Sequence, residues 1–335
     1  MALVAARKIR PAGTAAALFV EAWPHGAGTM NVARRDDGDC VFFDREDGRR
    51  CVIHRDAGPE ALPTACRHFP RRMLRDDRGT FISLSHFCPT AAAMLFTPDT
   101  LDVEEAHPPL RLEEPVEGMD AVGALPPLVR PGVLSDLDGY SVWERHCLAV
   151  FSRRDLDYQQ ALDLVAAATE RVRGWRPGGC RLATHVHTAF EGACVQDGVD
   201  KTAQARAMGT LRSLCEDRVS NDLAPIEGFD DHWTRLAAPS FEAFDVAMKN
   251  YLAARLFANW IAYQGRGLRS IVEWLRTCAA LVRHHALRRA LDSGTALDRG
   301  DFIEAIRMAD LLLLHLIDTQ AFATQVAFLE GPDPR

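Results

Sequence analysis

The spacing of apolar residues changes character near Ser141. Beyond it they recur every three to four positions, the signature of helices buried along one face. Asp155–Trp175 carries Leu156, Ala161, Leu164, Val165 and Ala168 on one stripe. Lys201–Val219 predicts a second amphipathic helix, and Phe241–Tyr263 a long apolar one opened by Pro239-Ser240. Leu268–Leu291 follows Gly265 and Gly267, and Asp301–Leu329 closes the chain with Asp298 as its cap. The segment 141–335 is therefore expected to be a helical bundle, a domain able to shape a substrate pocket.

Upstream the pattern is different. Residues 27–90 have many Gly, Asp, Arg and Pro and little periodicity. Short strands are expected around Ala16–Val20, Cys40–Phe43 and Thr80–Leu84, the last reading Thr-Phe-Ile-Ser-Leu. Residues 98–140 are rich in proline and acid and are expected to be a surface linker. No internal repeat or low-complexity tract appears.

With 335 residues, 47% of them hydrophobic, the chain can build one large domain or two ordinary ones. A net charge of -7 argues against nucleic acid or an anionic membrane as the main partner. Only Lys8, Lys201 and Lys249 are lysines among 39 basic residues, which reads as the codon bias of a GC-rich bacterial genome. The apolar stretch Thr14–Val20 is too short for a secretory signal, and Ala309–Ile317 is interrupted by Asp310 and His315. A cytoplasmic location is expected, where nine cysteines stay reduced.

Four of those cysteines, Cys40, Cys51, Cys66 and Cys88, fall within 49 residues, separated by 10, 14 and 21 positions. Their surroundings are polar, so ligand roles outrank core roles. Four soft thiolates suit a structural zinc or an iron–sulfur cluster. Cys88-Pro89 is similar to the cysteine–proline step that ends ferredoxin cluster motifs. His54, His68 and His86 lie nearby as replacement or supporting residues. Cys147, Cys180, Cys194, Cys215 and Cys278 are scattered, and Cys215 and Cys278 read as small core residues on helix stripes. The domain expectation is a mostly α protein: an irregular metal-bound cysteine region with short strands over 1–97, the linker 98–140, and helices from 141. A region of that composition depends on metal to fold.

Other candidate chemistry is sparse. His185 and His187, in Thr184-His-Val-His-Thr188, would share one side of a short strand. His284-His285 reads as part of a basic helix end. Gly174, Gly178 and Gly179 flank Pro177 in a turn, so no dinucleotide-type glycine loop follows a strand. No Gly-x-Ser-x-Gly, P-loop or His-Glu-x-x-His motif occurs.

Cys40-Val-Phe-Phe-Asp, then Gly48-Arg-Arg-Cys51-Val-Ile-His54, Gly58-Pro-Glu-Ala-Leu62 and Cys66-Arg-His-Phe-Pro70-Arg71 together resemble the flagellin lysine N-methylase family. Ile82-Ser-Leu-Ser85 and Cys88-Pro89-Thr-Ala-Ala92 continue the likeness, with His86 and Phe87 inserted. Lys249-Asn250-Tyr251-Leu252 and Arg255-Leu-Phe257 are similar to a later helix of that family. The likeness covers about residues 38–96 and, more loosely, 245–290. It implies a 4Fe-4S cluster on Cys40, Cys51, Cys66 and Cys88. It also implies S-adenosylmethionine as methyl donor, an amine acceptor (a protein lysine or a small molecule), and Asn250 and Tyr251 as catalytic residues. The chain departs from the family at His25–Met30, which carries no cysteine, and at Met248-Lys249, where a glutamate is usual. Three thiolates would leave one iron open to chelate the donor, whereas four would close the cluster. The alternatives are another cluster-dependent reaction of a biosynthetic pathway, oxidoreductase or radical in type, and a non-catalytic zinc module.

Overall fold

The computed structural model describes residues 17–21, 30–35, 39–46, 50–107, 118–215, 222–264 and 266–329. The chain divides at Phe69–Pro70 into two compact units, ahead of the boundary expected at 97. Helix dominates, with small sheets.

The first unit has two short antiparallel pairs. β1 (Phe19–Glu21) pairs with β2 (Met30–Val32), Phe19 opposite Val32. β3 (Phe43–Asp44) pairs with β4 (Arg50–Cys51). Ala16, the first residue of the expected strand there, lies outside the described residues. Of the strand expected at Cys40–Phe43, Phe43 opens β3 and Cys40 bridges Arg34, while Val41 and Phe42 form a turn closed by Phe43 N–H to Cys40 O at 2.9 Å. Asp39, which receives both Arg35 and Arg45, draws the chain into that turn. α1 (Val52–Ala57) ends at Gly58, whose φ of 81° and the following Pro59 stop it. α2 (Thr64–His68) follows. Among the described residues its apolar core is Ala33, Val41, Phe42, Val52 and Ile53, with Phe19 against Phe42.

The second unit begins with a hairpin, β5 (Arg71–Asp76) and β6 (Gly79–Leu84). Its two-residue turn is set by the Asp76 carboxylate, which accepts Arg78 N–H at 2.8 Å, and by Gly79 at φ 140°. After α3 (Pro89–Met94), β7 (Gly118–Asp120) returns parallel to β5. Gly118 is needed there, because a Cβ would sit 2.6 Å from Met73 O. β8 (Leu128–Arg130) and β9 (Val133–Leu134) form a further pair. The expected linker therefore contributes strands to the body, and its last residues already belong to α4 (Leu137–Phe151), capped by Asp136.

α5 (Tyr158–Arg173) starts with a capping box from Asp157 and Gln160. α6 (Leu182–Glu191) stands where a short strand was expected, so His185 and His187 do not share a strand face. α7 (Ala203–Leu214) is shorter than predicted, and residues 216–219 lie outside the described ones. The long helix expected over 241–263 is broken. α8 (Asp245–Leu256) stops where Phe257 extends and Ala258 takes φ 51°, held by Ala258 N–H to the buried Glu144 carboxylate at 3.2 Å. α9 (Leu268–Ser293) is the central helix and touches α5, α7 and α8. It also packs against α10 (Arg299–Leu311), which opens with the expected Asp298 cap, and α11 (Thr319–Leu329). The predicted single last helix is interrupted by a wide turn at Leu312–Leu316, and Asp318 restarts it by accepting Gln320 N–H.

No helix among the described residues is long and apolar enough to cross a membrane. The core of this unit is one continuous cluster in which Phe302 meets Phe96, Phe241 and Phe244 at ring distances of 5.7, 4.9 and 5.1 Å. Phe302→Ala should cost about 3–5 kcal/mol of stability by urea denaturation. A loss under about 1 kcal/mol would mean that this aromatic cluster is not the packing centre.

Candidate functional site

The cysteine segment brings two of its thiols, Cys40 and Cys51, against one small apolar cluster. Cys51 ends β4, pairs with Phe43 and starts α1, while Val52 N–H donates to Phe42 O at 2.8 Å. Phe42 N–H points at Cys40 Sγ, 3.4 Å away. An amide aimed at sulfur stabilises a thiolate and tunes a metal bound to it. Burial raises the Cys40 thiol above its ordinary value, with that amide working against it and Cys51 adding to it. Cys66 is exposed on α2, and all nine cysteines are free thiols. Cys88 belongs to the second unit, half-buried at the start of α3, with Pro89 in the first helical position. Among the described residues no group of three or more His, Cys, Asp or Glu is assembled to hold a metal ion.

The two resemblance-based catalytic candidates lie inside the body. Tyr251 is fully buried, and its hydroxyl donates to Asp310 Oδ1 at 2.8 Å. Asn250 spends its amide on Leu95 O at 3.0 Å and Asp99 O at 3.2 Å, and its carbonyl accepts Leu101 N–H at 3.0 Å. It pins the chain that leaves α3. Lys249 is buried too, donating to Arg153 O and Leu156 O. All three are buried in this structure, their polar atoms engaged by backbone groups or by Asp310.

Tyr251 belongs to a buried charge network that the sequence reading did not single out. Asp310, on α10, is fully buried. It accepts the backbone N–H of His86, and Arg255 Nη1 and His86 Nδ1 each lie 3.5 Å from it. Arg255 also donates to Leu84 O, at the end of β6. Burial alone would raise the Asp310 pKa, but Arg255, then His86 and Tyr251, hold it at about 2. Burial, then the nearby Arg255, lowers Arg72 to about 9, and its guanidinium lies 4.3 Å over the Trp260 ring. Ser85 Oγ and His315 Nε2 stand 3.0 Å apart beside this network. A second network ties the β5–β6 turn to α4. Arg78 donates to Asp76 at 2.8 Å and to the buried Glu144 at 3.2 Å. The interruption of the apolar run by Asp310 and His315 was the visible signal for the first network.

The remaining histidines also move from their expected places. His185 donates to Arg171 O at 3.0 Å, and His187 instead meets His146. His284 and His285 are buried in the middle of α9, not at its end. Burial, more than the neighbouring cations, lowers them to about 4 and about 3, so they are neutral at pH 7. Cys278 is a buried core thiol as expected, whereas Cys215 is half-buried at the end of α7. A cleft of about 440 Å³ opens between α5, α7 and α9. Arg206, Arg269 and Arg276 line it, ion-paired with Glu170, Asp200 and Glu273.

No family model, curated protein or solved structure matches this chain.

Asp310→Asn leaves Arg255 buried without its counter-charge and should cost about 3–5 kcal/mol. Tyr251→Phe, which removes one hydrogen bond, should cost about 1 kcal/mol. Equal losses in urea denaturation would contradict the central place given to the carboxylate. Unfolded His284 and His285 take up protons near pH 6.5, which the folded state refuses until about pH 4 and 3. Stability should therefore fall as pH drops through that window, and His285→Leu should flatten the slope. An unchanged slope in that variant would show that His285 is not buried neutral.

Proposed function

We propose that the chain is an iron–sulfur enzyme resembling the flagellin lysine N-methylases. In this reading Cys40, Cys51, Cys66 and Cys88 hold a 4Fe-4S cluster, and a methyl group passes from S-adenosylmethionine to an amine. The observation that carries the reading is that Cys40 and Cys51 pack against the same small apolar cluster, five buried residues among the described ones of the first unit, with one amide aimed at the Cys40 sulfur. A unit with so little apolar core gains most from a bound metal, because ligand binding is then part of its folding energy. The thiolates suit iron in chemistry. Cys66, exposed on its short helix, has to join the pair for a third ligand to form, so metal binding and ordering of α2 go together.

When bound, the cluster supplies redox chemistry or, with one iron open, a chelating position for the donor. Methyl transfer breaks the donor's sulfonium S–C bond and forms an N–C bond. The donor leaves as a neutral thioether, and the amine loses one proton. The chain's own task is alignment and a neutral amine. The cleft between α5, α7 and α9 supports that role: its volume falls within the small-molecule range of about 300–1,000 Å³. Its arginines and carboxylates are ion-paired with one another, so a charged end group would bind there by exchanging into those pairs. The acceptor is a protein lysine or a small amine.

The same small core supports a second reading, a zinc that only staples the first unit. Metal and sulfide analysis of anaerobically purified protein separates the two. About four iron and four sulfide per chain, with absorption near roughly 400 nm, is the expected result. About one zinc without sulfide would replace the enzyme by the staple. Cys40→Ser should lose the metal and loosen the first unit. Unchanged metal content in that variant would remove Cys40 from the ligand set.

A further inference from the structure

Two histidines from different helices meet at the surface of the helical body. His146 on α4 and His187 on α6 place Nε2 and Nδ1 2.8 Å apart, with ring planes at 79°. Phe190, three residues after His187, stacks on the His146 ring at 4.8 Å and 24° and fixes its orientation. Glu191, four residues after His187, shares its helix face and is close enough for its charge to act on His146. The two helices are locked together: a Cβ on Gly139 of α4 would lie 2.5 Å from Leu182 Cγ on α6. The histidine pair therefore sits on a rigid frame, with His187 and Glu191 exposed to solvent.

We propose that His146 and His187 form a binding site for a divalent transition-metal ion of the zinc, nickel or copper type. Imidazole nitrogens suit those ions. Metal–nitrogen bonds of about 2.0–2.1 Å need the two nitrogens about 3 Å apart, close to the spacing already present. The proton that lies between the rings moves to the far nitrogen of its own ring. Both ligands stay neutral, and no net proton is released at neutral pH. No third donor is in place among the described residues, so water completes the shell and the Glu191 carboxylate adds negative charge beside it. The ion would clamp α4 to α6. This site is independent of the cysteines and of the proposed methyl transfer.

The test is a calorimetric titration of nickel into anaerobically purified full-length protein, with iron and sulfide measured on each sample. Wild type should bind one nickel per chain. His187→Ala and His146→Ala should each weaken binding at least tenfold, with unchanged iron, sulfide and circular dichroism. Cys40→Ser should keep the nickel site whether or not it loses other metal. No nickel binding by wild type, equal affinity in His187→Ala, or loss of nickel binding in Cys40→Ser alone would overturn the proposal.

Discussion

A carboxylate without water is the constraint around which the helical body is arranged. Asp310 is ionised in a place where its charge has no solvent. It persists only because Arg255, Tyr251 and the His86 amide converge on it from separate stretches of chain. α8 brings Arg255 and Tyr251, α10 brings the carboxylate, and the segment after β6 brings His86. Arg255 then reaches on to Leu84 O, so the charge that neutralises Asp310 also anchors the end of the hairpin. The Arg78–Glu144–Asp76 network does the same at the other end of that hairpin. The small sheet thus owes its position to two buried ion networks more than to its own hydrogen bonds.

The two units gain order in different ways. The second has a continuous apolar core, capping boxes at Asp157 and Asp298, and internally matched charges. The first has strand pairs of two and three residues and, among its described residues, a core of five, with thiols beside it. That contrast links structure to function in the proposed reading. A rigid body offers a charged cleft for small molecules, and a weakly stabilised unit takes its order from metal. Tyr251 and Asn250 then serve the body: one holds the buried carboxylate, the other holds the chain after α3 in place.

Much of the helical part could be read from the sequence, because α5 and α10 open with clear Asp caps and α5, α9 and α10 carry long apolar runs. The errors fall where tertiary bonds override local pattern. The 241–263 run is apolar throughout, yet the Glu144 carboxylate captures Ala258 N–H and ends α8 early. The 98–140 segment looked like linker because its prolines hide short strands whose partners, such as Met73 for Gly118, are distant in sequence. The histidine pair was placed wrongly for the same kind of reason. His187 finds its partner, His146, 41 residues away on another helix, and no local spacing encodes that. Asp310 was visible as an interruption of an apolar run, but its partners were not.

In the proposed reading the first unit depends on metal for its order, whereas the second draws its order from its apolar core. Hydrogen exchange on the protein as isolated and after anaerobic removal of metal by a chelator tests this directly. Amides of Val52–Ala57 and of the β3–β4 pair should lose protection when metal is removed, while those in the middle of α9 keep theirs. Equal protection of Val52–Ala57 in both samples would contradict the account.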